Sequence, residues 1–213
     1  VLHMLQPFTA LGGAGTAFLI ALIFVGALVV TSVTIAGQAR ERWLVYALAP
    51  FIALSHGCLL VAPSVGLELL TYGGYLWFFS LVCMRVLRHV FEEGDVDGNR
   101  LYAVCCVYLL AGIAWGFFYA VLETLQPGSF GGSYRAVAGK DVVTPLIYFS
   151  FVTLTTLGYG DISPLSGFAR AFATLEAALG QIYLTVLVAR LLGFHVSMHG
   201  SLTGPKGRAP HED

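Results

Sequence analysis

The chain is laid out as long apolar runs separated by short polar loops. A bilayer core about 30 Å thick takes about 20 apolar helical residues, so run length is the first ruler to apply. Ala14 to Ile35 has no ionisable residue. It closes on Thr31, Ser32 and Thr34, hydroxyls that a helix satisfies by bonding back to its own carbonyls. Leu44 to Ala62 is the second run and contains Pro50 and His56. Val65 to Val90 is the third, with Glu68 near its start and Arg85 and Arg88 near its end. Leu101 to Leu122 is the fourth, and Ala171 to Phe194, holding Glu176 and Arg190, is the fifth. The pattern predicts an all-α, multi-pass membrane protein with five spans.

The organisation that follows is three N-terminal spans over residues 1–90, a polar linker over 91–100, a unit over 101–196, and a tail over 197–213. The tail is rich in Gly, Pro and polar residues, which predicts disorder. Composition sharpens this picture. Of 213 residues, 57% are hydrophobic and only 11% charged, with mean hydropathy +0.80. Soluble domains carry about a quarter charged residues, so a water-soluble fold is excluded, as is global disorder. A net charge of −1 speaks against nucleic acid as a partner, which would call for a basic surplus. Cys58, Cys83, Cys105 and Cys106 lie inside apolar runs without metal or disulfide spacing, and read as small buried hydrophobes.

Basic residues in short loops set orientation. Arg40, Arg42, Arg85, Arg88, Arg100, Arg190, Lys206 and Arg208 fall on one side if the spans alternate, eight against Arg135, Lys140 and Arg170 on the other. This predicts a cytoplasmic C-terminus in a cell membrane and an external Val1. The opening VLHMLQP lacks the basic region of a signal peptide; we expect a preceding span to be missing from this sequence, the alternative being that a short N-terminus simply translocates.

Between the fourth and fifth runs, Val142 to Thr155 reads VVTPLIYFSFVTLT. Pro145 suits a first helical turn. Fourteen helical residues rise roughly 21 Å, too little to cross a core of about 30 Å. Thr156-Leu157-Gly158-Tyr159-Gly160-Asp161 follows at once, and its two glycines break the helix. A segment that enters, turns and leaves on the same side is re-entrant. Non-helical backbone at membrane depth is tolerated only when buried in protein or lining a watery path. The stretch is therefore expected to line a pore. A dehydrated alkali cation needs oxygens in place of its water shell. Carbonyls that share one axis require alternate residues in backbone angles that L-residues avoid, which Gly158 and Gly160 permit. Thr156 adds a hydroxyl, and the C-terminal end of the short helix favours a cation.

Thr155 to Asp161, TTLGYGD, resembles the potassium-channel selectivity filter, with Leu157 where Val is usual. YFSFVTLTTLGYGDISP and LEAALGQIYLTVLVARLLG extend the resemblance over Leu101 to Phe194, and the pattern is most similar to bacterial ion channels with a two-helix pore. The resemblance implies outer helix, pore helix, filter and inner helix, four chains around one axis, and passive K+ conduction without enzymatic activity or cofactor. Thr156, Leu157, Gly158, Tyr159 and Gly160 would form the filter, with K+ held at Thr156, Leu157, Gly158 and Tyr159. Thr155 and Asp161 would support the filter and its outer mouth. The Tyr159 ring would pack outward on the pore helix, where Tyr148 and Phe149 are candidates. Gly180 matches the inner-helix hinge, and Gln181, Leu184, Thr185 and Val188 follow at helical spacing towards a cavity. Some relatives place a carboxylate on the pore helix, paired to the filter aspartate. Val152 stands there instead, so Asp161 must find another partner or stay solvated. Rival readings are a weakly selective cation channel and a non-conducting or transporter-like membrane protein. A transporter would be expected to show paired broken helices, and only one broken segment is found.

The remaining polar residues are weighed singly. Arg85 and Arg88 sit at a span end, whereas a steep voltage sensor needs several charges in the membrane, each worth only about 2.3 kcal/mol per 100 mV. They fit snorkelling, and steep voltage gating is not expected. Glu176 either draws cations to the cavity or hydrogen-bonds a pore helix, and we favour the second. Arg170 reads as an interfacial anchor and His56 as a packed histidine. Glu92 to Gly98 lacks calcium-loop spacing and reads as a solvated turn. Gly180 has two readings, a bend in the inner helix or close packing on a pore helix. A substitution to alanine is expected to keep the packing while stiffening the helix.

Overall fold

The computed structural model describes residues 39–91, 98–134 and 141–202. The expected span Ala14–Ile35, most of the acidic turn, and the chain beyond Leu202 lie outside these residues. The described elements are α1 (Ala39–Val61), α2 (Val65–Phe91), α3 (Gly98–Leu125), β1 (Phe130–Gly132), α4 (Val143–Leu154), β2 (Ile162–Pro164) and α5 (Gly167–Leu202). Among the described residues, three helices contain stretches long and apolar enough to cross a membrane: Val65–Arg88, Val104–Leu125 and Gly167–Ala189. Within α1 the apolar helical stretch is shorter, Pro50–Leu59.

Several bounds differ from expectation. Gly98 to Arg100, placed in the linker, already form the first turn of α3. The last helix begins at Gly167 rather than Ala171 and runs on to Leu202, past Ser197 where disorder was expected to begin. A helix already under way carries polar residues more readily than composition alone suggests.

Aromatic contacts join the helices in sequence. On the α2–α3 seam the Tyr75 and Phe79 rings stack on Phe117, with centroids 4.7 and 5.6 Å away. His56 of α1 meets Tyr75 edge-on at 6.1 Å, in keeping with a packed histidine. Phe118 of α3 meets Phe172 of α5 at 4.6 Å, and the Tyr183 hydroxyl donates to the Val104 carbonyl at 2.6 Å. Helix α4 lies against α3 and α5. With twelve residues it rises only about 18 Å. Strands β1 and β2 form an antiparallel ribbon pairing Phe130 with Pro164, Gly131 with Ser163 and Gly132 with Ile162. The ribbon ties the segment after α3 to the segment after the glycine turn.

Candidate functional site

The short helix is set by local chemistry at both ends. Asp141 caps its start: Oδ1 accepts the N–H groups of Val143 and Thr144 at 3.1 and 3.2 Å, and Oδ2 accepts the Thr144 hydroxyl. At its end, the Phe151 carbonyl accepts the Thr155 N–H (3.0 Å) and the Thr153 carbonyl the Thr156 N–H (2.9 Å). Val152 contributes its backbone rather than a carboxylate. Its carbonyl accepts the N–H groups of both Leu157 and Gly158, at 2.9 and 3.2 Å. The Leu154 carbonyl accepts the Tyr108 hydroxyl of α3 at 3.0 Å.

Beyond the helix, φ is positive at Thr156 (57°), Gly158 (60°) and Gly160 (73°), with Leu157 and Tyr159 between them on the ordinary side. The glycines take the conformation that the sequence predicts for them. Thr156 was not expected to share it, and it is the one non-glycine residue with positive φ among the described residues. Its hydroxyl lies 2.7 Å from the Thr155 carbonyl, and the Gln181 amide of α5 donates to it at 3.3 Å. Thr155 turns its own hydroxyl back to the Phe151 carbonyl at 2.6 Å.

Residues 155 to 161 are exposed in the single chain, with the Tyr159 ring at 65% and the Leu157 side chain at 55%. On α5, Gln181, Thr185 and Val188 are exposed and Leu184 is half-buried. The structure thus brings Gln181 to the turn, while the Thr185 hydroxyl bonds within its own helix to the Gln181 carbonyl at 2.8 Å.

Asp161 does find a partner. The Tyr148 hydroxyl donates to its Oδ2 at 2.8 Å, and its Oδ1 accepts the Ile162 N–H at 3.0 Å. Phe149 requires a correction. It is buried against Tyr119 and Phe130, with centroids 5.3 and 5.2 Å away, so it supports α3 and β1 rather than Tyr159. Successive helical residues point about 100° apart, so Tyr148 and Phe149 do not share one face.

Glu176 also departs from the cavity position. It is fully buried, accepting the Ser150 hydroxyl of α4 at 2.5 Å and the Tyr119 hydroxyl of α3 at 2.6 Å. Ser150 further lies 2.8 Å from the Gly112 carbonyl. Of the two roles weighed for Glu176 in the sequence, hydrogen bonding to the short helix is the one seen, with three helices meeting at one polar node. Gly180 is a second correction. A Cβ built there would sit 2.6 Å from the Leu154 carbonyl oxygen, so alanine does not preserve the packing. Ser150, Tyr119, Tyr108 and the β1 residues were missed in the sequence. Their polar groups stand out within apolar runs, but partners 26 and 57 residues away leave no local spacing signal.

Comparison with known proteins agrees with this geometry. A family profile described as ion channel matches residues 103–196. Protein LctB of Bacillus caldotenax is 32% identical over 95 residues, 43% of this chain and 69% of that protein. The chain belongs to this ion-channel family. Two pore potassium channel c of Oryza sativa subsp. japonica is 32% identical over 97 residues, 45% of this chain. The inward rectifier potassium channel Kirbac3.1 of Paramagnetospirillum magnetotacticum is 34% identical over 87 residues, 40% of this chain. The match spans only 20% and 24% of those two proteins. No solved structure matches the chain significantly. The family match covers residues 103–196, and three described helices are long and apolar enough to cross a membrane, as a membrane-embedded channel unit requires.

Proposed function

We propose that the chain is one subunit of a homotetrameric pore that conducts K+ passively across a cell membrane. The observation that carries this reading is the alternation of positive φ at Thr156, Gly158 and Gly160. Alternating handedness along an extended turn directs successive carbonyls to one side, and such a row replaces an ion's hydration shell. Thr156, Leu157, Gly158 and Tyr159 would supply the ion-binding carbonyls, with Gly160 completing the turn and the Thr156 hydroxyl at the inner end. Exposure of this row in the single chain supports a site completed by other copies, since four such loops enclose one ion. K+ is the cargo, and no cofactor enters the chemistry. Similarity to the two potassium channels named above supports K+ as the ion, and the intact Gly-Tyr-Gly favours it over a weakly selective pore. The basic-residue bias supports a cytoplasmic C-terminus. Two arginines near one span end support gating without steep voltage dependence.

The deciding measurement is the reversal potential of purified, reconstituted channels in a potassium/sodium gradient. A reversal close to the potassium equilibrium potential is expected. A reversal near zero makes the protein a weakly selective cation pore, and absence of current in verified tetramers makes it non-conducting.

A further inference from the structure

With Val152 where a carboxylate would hold the filter aspartate, the outer end of the turn is secured by something else. The Asp161 carboxylate takes the Tyr148 hydroxyl, but its carbonyl is held by the residue that follows β1. The Ser133 N–H donates to the Asp161 oxygen at 2.7 Å and the Ser133 hydroxyl donates to the same oxygen at 2.9 Å. Two donors occupy both lone pairs of that carbonyl. Gly132, with φ of 77°, lets the strand come this close: a Cβ there would lie 2.2 Å from the Asp161 oxygen. The strand is anchored in turn. Phe130 is fully buried against Tyr119 and Phe149, and the Glu123 carboxylate of α3 accepts the N–H groups of Gly128 and Phe130 at 2.9 and 3.2 Å. The Ser129 carbonyl accepts the Leu165 N–H at 2.7 Å, closing the ribbon at its far end.

We propose that Gly132 and Ser133 are positioning residues for conduction: the β1 strand fixes the peptide immediately outside the filter and keeps its outer ion site formed. The inference rests on the conduction reading above. An unheld Asp161 peptide is free to rotate and carry Gly160 with it, collapsing the outer end of the carbonyl row. An ion at that end opposes the same collapse, because it offsets repulsion between carbonyls. Loss of the Ser133 bond is therefore felt most when external K+ is scarce.

The test uses full-length reconstituted channels with native, Ser133→Ala and Ser133→Thr sequences. The alanine variant keeps the backbone bond and loses the hydroxyl. Its potassium current is expected to decline about fivefold faster than native in low external K+, the change one net hydrogen bond supports. High external K+ should restore the native time course, and Ser133→Thr should behave as native. Hydrogen exchange at residues 158–162 should also rise in Ser133→Ala tetramers, while α4 stays protected. Native decline and native exchange in that variant would overturn the proposal, as would acceleration that external K+ does not relieve. If the native protein itself shows no selective current, the conduction reading fails. The exchange measurement still decides whether Ser133 holds the peptide.

Discussion

Thr156 sits at φ 57°, a conformation that L-residues with a branched Cβ avoid at a cost of about 1–3 kcal/mol. It is kept there by its N–H bond to the Thr153 carbonyl and by the Gln181 amide on its hydroxyl. Surrounding bonds hold this strain, and the left-handed conformation was legible in the sequence only at the two glycines, which adopt it freely. Gly180 was legible as a special position, with bending and close packing both open, and the structure selects packing. Its backbone lies against the Leu154 carbonyl, at the end of the helix that carries the turn. Gly180→Ala is expected to destabilise the assembled protein by about 1–3 kcal/mol, the usual cost of overpacking. Thermal melting of detergent-solubilised protein measures this. An unchanged melting temperature with lower open probability would restore the hinge reading.

At the scale of elements, the supports of α4 come from every side. Asp141 caps its start, Tyr108 of α3 and Gly180 of α5 meet its end, and Glu176 holds its middle through Ser150. The Glu176 node joins α3, α4 and α5, so it fixes the depth and angle of the short helix. Glu176→Leu leaves the buried Tyr119 hydroxyl without its acceptor and is expected to cost about 1–3 kcal/mol. Glu176→Gln retains an acceptor for Tyr119 and a donor for Ser150, and should keep most of the stability. Denaturation of the two variants side by side checks the difference. Equal stability of Leu and native proteins would show that the node carries little energy. The outline of these elements was readable from run length. Their partners were not, because Ser150 and Tyr119 pair with a residue far along the chain.

For the whole molecule, the exposed turn and the exposed apolar residues of α5, among them Phe168, Leu175, Leu179 and Ile182, present a surface suited to other copies or lipid. Cross-linking in mild detergent is expected to stop at four subunits. A predominant dimer or monomer in conducting membranes would count against a fourfold pore. The sequence by itself determined the membrane class, because long, predominantly apolar helical runs match the thickness of the bilayer. It also determined the place of the short helix and the break that follows it, since helix length and glycine position are local quantities. Only the tertiary structure decided that Phe149 turns to α3, that Glu176 is buried, that Gly180 is packed, and that Ser133 and Tyr148 share Asp161. Each of these depends on residues distant in sequence being brought within hydrogen-bonding or van der Waals reach, and neither composition nor periodicity records which distant groups will meet.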